Sequence, residues 1–160
     1  MVKMNVQSIE PGIDTGALLA GAQFADAFRI RVDDAALDAR RAVEKMLTRN
    51  PRWIEVLMRL RNRLVAPIGL KTPVLTRVRT RDTVGIFPVM SETPDRLVAG
   101  FDDKHLDFRI VVDVAACGTG RNVTATTLVL THNLLGRVYL AIILPFHRRI
   151  VRALLRQVAR

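Results

Sequence analysis

The last thirty residues, THNLLGRVYLAIILPFHRRIVRALLRQVAR (131–160), restrict the fold more than any other stretch. Nine consecutive apolar residues, Val138–Phe146, are followed by arginine at nearly every turn. A membrane-spanning helix needs about 20 mainly apolar residues, so this run is too short to cross a bilayer. On an α-helix advancing about 100° per residue, Arg137, Arg148, Arg149, Arg152, Arg156 and Arg160 share one arc, and Tyr139, Ile143, Phe146, Ile150, Leu154 and Val158 fall opposite. The pattern predicts one long amphipathic helix, bent at Pro145. Such a helix can cover a sheet, lie on an anionic membrane or pair with another helix.

The preceding residues supply a sheet for it to cover. From Val84 the apolar period is two, predicting strands at Val84–Met90, Arg96–Asp102, His105–Ala115 and Arg121–Thr131. The third alternates cleanly: Leu106, Phe108, Ile110, Val112 and Val114 on one face, His105, Asp107, Arg109, Val111 and Asp113 on the other. Short turns, including Cys117-Gly118-Thr119-Gly120, imply antiparallel pairing. An earlier strand is expected at Gln23–Val32, with Phe24, Phe28, Ile30 and Val32 in one parity. After it, Asp33 and Asp34 offer a cap for a helix over Ala35–Leu47. Asn50-Pro51 opens a second helix, whose Trp53, Val56, Leu57, Leu60 and Leu64 form a stripe ending near Ala66. Lys71–Thr83 reads as a loop or edge strand, and residues 1–21 as a loose lead-in.

The expected fold is therefore α+β: one domain over 22–160, in the order β-α-α-β-β-β-β-α, with a curved antiparallel sheet wrapped on a long C-terminal helix. This helix-grip layout commonly leaves a cavity between sheet and helix. With 160 residues, the chain can bury a core without disulfides, and its single cysteine, Cys117, permits no internal one. The start lacks the apolar core of a signal peptide. A cytoplasmic protein is expected, with peripheral contact at an anionic membrane left open. The net charge of +10, mostly arginine, attracts phosphates, anionic lipid or acidic partners, or simply keeps the surface solvated.

Four stretches resemble the DUF2867 family, a group of bacterial domains. They are Ala25-Asp26-Ala27-Phe28, Gly100 through Arg109 (GFDDKHLDFR), Asn133 through Tyr139 (NLLGRVY) and Pro145-Phe146-His147-Arg148. The resemblance runs from about Ala22 to Leu155. It implies similarity to the START and polyketide-cyclase (SRPBCC) superfamily of ligand-binding helix-grip proteins. Some family members follow an NmrA-like, Rossmann-type oxidoreductase domain, which implies a separate oxidoreductase as a partner here. No activity and no cofactor come with the resemblance.

His105, Asp107 and Arg109 form the richest polar group. Side chains two apart on a strand stand side by side, so Asp107 is expected to pair with Arg109 and orient His105. Facing a cavity, the three would anchor a carboxylate, phosphate or carbonyl; facing solvent, they are an ordinary charged surface. His132 ends the next strand, and His147 lies beside the apolar arc of the last helix, where a buried, hydrogen-bonded role linking helix to sheet is expected. The histidine spacings match no short metal motif, so no metal is expected. Neither serine lies in a nucleophile elbow, and Gly118-Thr119-Gly120 precedes a strand, not the helix that a phosphate loop requires. Eight aromatic residues, mostly in apolar patterns, provide few stacking platforms for nucleic acid.

The leading expectation is a module that holds a small apolar or amphipathic molecule between sheet and C-terminal helix. Trp53, Phe87, Phe101, Tyr139 and Phe146 would supply surface, and His105, Asp107, Arg109, His132 and His147 polar contacts. The alternatives are an acid–base enzyme of cyclase or isomerase type, using His105 and Asp107 in the same cavity, and a protein that docks on membrane or a partner through its basic helix.

Overall fold

The period-two segments form one open antiparallel sheet in a computed structural model that describes residues 5–48, 52, 55, 56, 59, 63, 82–85 and 87–160. Its strands are β1 (Gln7–Ile9), β2 (Phe24–Val32), β3 (Thr83–Val84), β4 (Phe87–Glu92), β5 (Arg96–Asp102), β6 (Leu106–Cys117) and β7 (Gly120–Thr131). They lie in the order β1-β2-β7-β6-β5-β4-β3. The helices whose bounds are described are α1 (Thr15–Leu18), α2 (Ala39–Thr48) and α3 (Leu134–Val158); Arg52, Glu55, Val56, Arg59 and Arg63 are also helical. The α+β class and the antiparallel sheet with a long C-terminal helix are as expected, and the arrangement is consistent with a helix grip.

Several boundaries differ from expectation. The lead-in holds β1, which pairs with β2 from Gln7↔Arg29 to Ile9↔Ala27, and the short α1. The segment expected as one strand over Val84–Met90 is two, separated at Gly85, whose φ of 59° only glycine adopts readily. The first long helix begins at Ala39 rather than Ala35. Asp38 Oδ1 accepts the Arg41 amide (2.8 Å), while Asp34 Oδ1 accepts Ala36 N in a local turn (3.0 Å). Asp38 therefore caps the helix, and Asp34 closes the turn before it. Most of the second expected helix, including Trp53, lies outside the described residues.

Ala39, Ala42, Val43 and Met46 of α2 repeat at helical spacing, and all are buried. They join Val151, Leu154, Leu155 and Val158 of α3 against Phe28, Ile30, Leu97, Val112, Val114, Val123 and Ala125 of the sheet. This is the main core. Fully burying a side chain such as Leu155 contributes about 1.5–3 kcal/mol. α3 packs on β2 and β7, and α2 on β5 and β6.

The opposite face of the sheet is not a solvated surface at its centre. Ala27, Val98, Val111, Thr126 and Leu128 are all buried there, and Arg109 is only 9% exposed.

The first turn of α3 is fixed by close contact with the loop between β5 and β6. Asn133 caps the helix, accepting from Gly136 N at 3.0 Å. A Cβ on Gly136 would lie 2.2 Å from the backbone oxygen of His105. The same oxygen accepts His132 N at 2.9 Å. The inner arc of α3 comprises Gly136, Val151, Leu154, Leu155 and Val158. Phe146, expected on that arc, is 41% exposed. Nine successive apolar residues surround the helix in its first half, so their pattern cannot choose a face.

Candidate functional site

The strand β2 reads FADAFRIRV, and alternation turns Phe24, Asp26, Phe28, Ile30 and Val32 toward the helices. A carboxylate in that row is the departure that marks the site. Asp26 pairs in register with Thr127 of β7. From α3, His147 reaches down so that its Nε2 lies 3.3 Å from Asp26 Oδ1, and each side chain keeps 14% exposure. The Phe24 ring meets the His147 ring edge-on at 6.0 Å. The imidazole is thus held by a carboxylate and an aromatic ring together.

Asp26 Oδ2 and Thr127 Oγ1 are buried without a hydrogen-bond partner. Leaving a buried polar atom unsatisfied costs about 1–3 kcal/mol. Thr126 Oγ1 is likewise buried without a partner on the opposite face, whereas these two atoms lie side by side on the helix-facing surface. With His147 beside them, the group can hold or pass a proton.

One row further along the sheet, the register aligns Phe24, Val129, Phe108 and Phe101 across four strands. Phe87 of β4 joins the end of this row. Its ring is 6.3 Å from Phe101 and 5.4 Å from Phe108, and Phe101 and Phe108 are 5.6 Å apart. All three rings are only partly buried. Polar acceptors and an aromatic surface therefore adjoin on one face, about 7 Å apart along each strand.

The residues expected to act together do not. Arg109 pairs with Asp102 (2.7 Å), not Asp107, and donates to the carbonyls of Phe101 (3.2 Å) and Phe108 (2.9 Å). Asp107 lies 3.0 Å from His132 Nε2. His105 precedes β6, and its Nδ1 accepts the Asn133 side-chain amide at 2.9 Å, bracing the cap of α3. Partners across strands are closer than neighbours along one strand, and register, not spacing, selects them. Asp107 and Arg109 also lie on the face opposite Asp26, so they share no site with it. Among the other candidates, Phe87 and Phe101 belong to the aromatic row, Tyr139 is half-buried on α3, and Phe146 points outward. His147 takes the expected linking position between helix and sheet. Asp26 and Thr127 were missed, although a charge in the apolar parity of β2 was a usable signal.

A second polar place lies where α2 meets β4. A surface hollow of about 400 Å³ is lined by Asp38, Arg40, Glu92, Thr93 and Pro94. Arg40 donates twice to Glu92, at 2.8 Å each, and also pairs with Asp82. These hydrogen bonds raise the Arg40 pKa, and the bond from Arg40 holds the Glu92 carboxyl below its usual range. The charges satisfy one another and tie α2 to the sheet edge. Among the described residues, no cluster of three or more His, Cys, Asp or Glu side chains could hold a metal ion.

The profile described as "Protein of unknown function (DUF2867)" matches residues 18–154. The chain belongs to the DUF2867 family. Comparison with curated proteins and with solved structures finds no match. Asp26, the aromatic row and His147 all lie within the DUF2867 span, whereas β1 lies before it.

Proposed function

We propose that this DUF2867 domain binds a small amphipathic molecule between the helix-facing side of its sheet and α3. The apolar body rests on Phe87, Phe101 and Phe108. A hydroxyl or amine of the ligand donates to Asp26 Oδ2 and Thr127 Oγ1. The observation that carries this reading is that pair of buried, unpartnered oxygens beside a partly exposed aromatic row. Buried polar atoms are nearly always paired, and binding sites combine apolar walls with a few polar anchors. A helix-grip relationship to START-like proteins agrees with the long helix packed on an antiparallel sheet. The acid–base alternative keeps a place through the Asp26–His147 pair, which replaces His105 and Asp107 as its acid and base.

Native mass spectrometry of protein purified from its own host tests the reading. Parent protein is expected to retain a molecule of a few hundred daltons, the size such pockets accommodate. Asp26→Asn and Phe101→Ala should each lower its occupancy while the fold is kept. Protein that retains no molecule, and that binds no apolar fluorescent probe sensitive to these substitutions, would overturn it.

A further inference from the structure

The outer surface of α3 carries a feature that ligand binding does not use. Leu134, Val138, Ile142 and Phe146 are exposed by 74%, 48%, 57% and 41%. They recur every four residues, and Ala141 and Pro145, exposed as well, fill the gaps between them. The stripe extends about 18 Å along the helix axis. Beyond it the same side of the helix changes character: Arg148, Arg149 and Arg156 are exposed, while Arg152, also exposed, turns its guanidinium over the Phe28 ring at 5.3 Å. No Asp or Glu occurs anywhere in α3. The outward side is therefore mainly apolar in its first half, with exposed Arg137 at the edge of the stripe, and rich in guanidinium groups in its second.

We propose that this face of α3 docks on an anionic lipid bilayer. Single exposed apolar residues are ordinary on a protein surface, but a continuous stripe marks an interaction site. Its occupant must present hydrocarbon and negative charge next to each other. A bilayer does so by depth: acyl chains receive Leu134, Val138, Ile142 and Phe146, and headgroup phosphates receive the arginines. The net charge of +10 draws the whole protein toward such a surface. A second copy fits less well, because parallel pairing sets arginine against arginine, and full antiparallel overlap sets arginine against the apolar stripe. No helix among the described residues is long and apolar enough to cross a membrane, so the contact is peripheral. This inference rests on the outer surface of α3 alone and stands whether or not a ligand occupies the inner one.

Co-sedimentation of the full chain with phosphatidylcholine vesicles, with and without phosphatidylglycerol, tests it. Binding is expected only to vesicles containing phosphatidylglycerol, and should fall as salt rises. Val138→Ser/Ile142→Ser should weaken binding at least about tenfold, and Arg148→Gln/Arg149→Gln about thirtyfold. All four positions are exposed, so thermal unfolding should be unchanged. Absence of binding to the anionic vesicles overturns the proposal, as does equal binding by the serine variant. Self-association without lipid that the serine variant abolishes would also overturn it, assigning the stripe to a second copy.

Discussion

Gly136→Ala isolates the contact that seats α3 on the sheet. The added Cβ would lie 2.2 Å from the His105 oxygen, where contacts below 3.0 Å essentially do not occur, so the two backbones must part by roughly 0.8 Å. Neither side yields easily: the oxygen is held by His132 N, and Gly136 N by the Asn133 cap. Overpacking of this kind costs about 1–3 kcal/mol, and weakening the cap about 1 kcal/mol more. Helix propensity acts the other way, favouring alanine by about 1 kcal/mol. The net expectation is destabilisation by about 1–3 kcal/mol, or roughly 3–10 °C in Tm for a domain of this size. Urea unfolding followed by circular dichroism measures it. Gly12→Ala is the control, since nothing lies within 4 Å of its added Cβ, and it should shift stability by less than about 0.5 kcal/mol. Gly136→Ala at or above parental stability would refute the close approach of α3 to the His105 backbone.

Three further outcomes are expected. Replacing both members of the buried pair, in Asp26→Leu/His147→Leu, should leave the domain as stable as the parent or more so, because two desolvated polar groups are exchanged for apolar packing; a loss beyond about 3 kcal/mol in urea would make the pair structural. Leu155→Ala should cost about 2–5 kcal/mol, whereas Leu134→Ala should cost less than about 0.5 kcal/mol, and equal losses would contradict the assigned faces of α3. Glu92 has a lowered pKa when folded, so its contribution is present above the ordinary value of 4.5 and is lost as pH falls through the folded value; urea midpoints across that range should fall in the parent and fall less in Arg40→Met, and parallel profiles would refute the linkage.

Period and parity made much of the sheet legible. β6 and β7 were expected within one or two residues because their alternation is long and their turn contains two glycines. The terminal helix was legible as a helix, but its inward face was not. Apart from Arg137, its arginines lie in the second half, while Val138–Phe146 is apolar on every side of the helix, and Gly136, Asn133 and His147 help to seat it. The start of α2 was obscured by three aspartates, Asp33, Asp34 and Asp38, of which Asp38 caps the helix and Asp34 closes a turn. β1 has three residues, too few to show a period, and depends on its ladder with β2. At the site, attention fell on a dense polar strand, whereas the distinctive position is one carboxylate in an otherwise apolar row. His105, Asp107 and Arg109 illustrate the remaining gap. Their adjacency on one strand follows from spacing, but their partners Asn133, His132 and Asp102 follow from register, which local sequence does not encode.

The pairing of residues 24–32 with residues 121–129 has a consequence for how the chain is made. β2 leaves the ribosome well before its neighbour β7, and its cover, α3, follows later still. Until then Phe28 and Ile30 remain open to water and to other nascent chains. Folding must await closure of a very long loop, which favours slow, late assembly over stepwise growth. Loss of even the final two turns, with Leu154, Leu155 and Val158, would strip the core at the moment it should close.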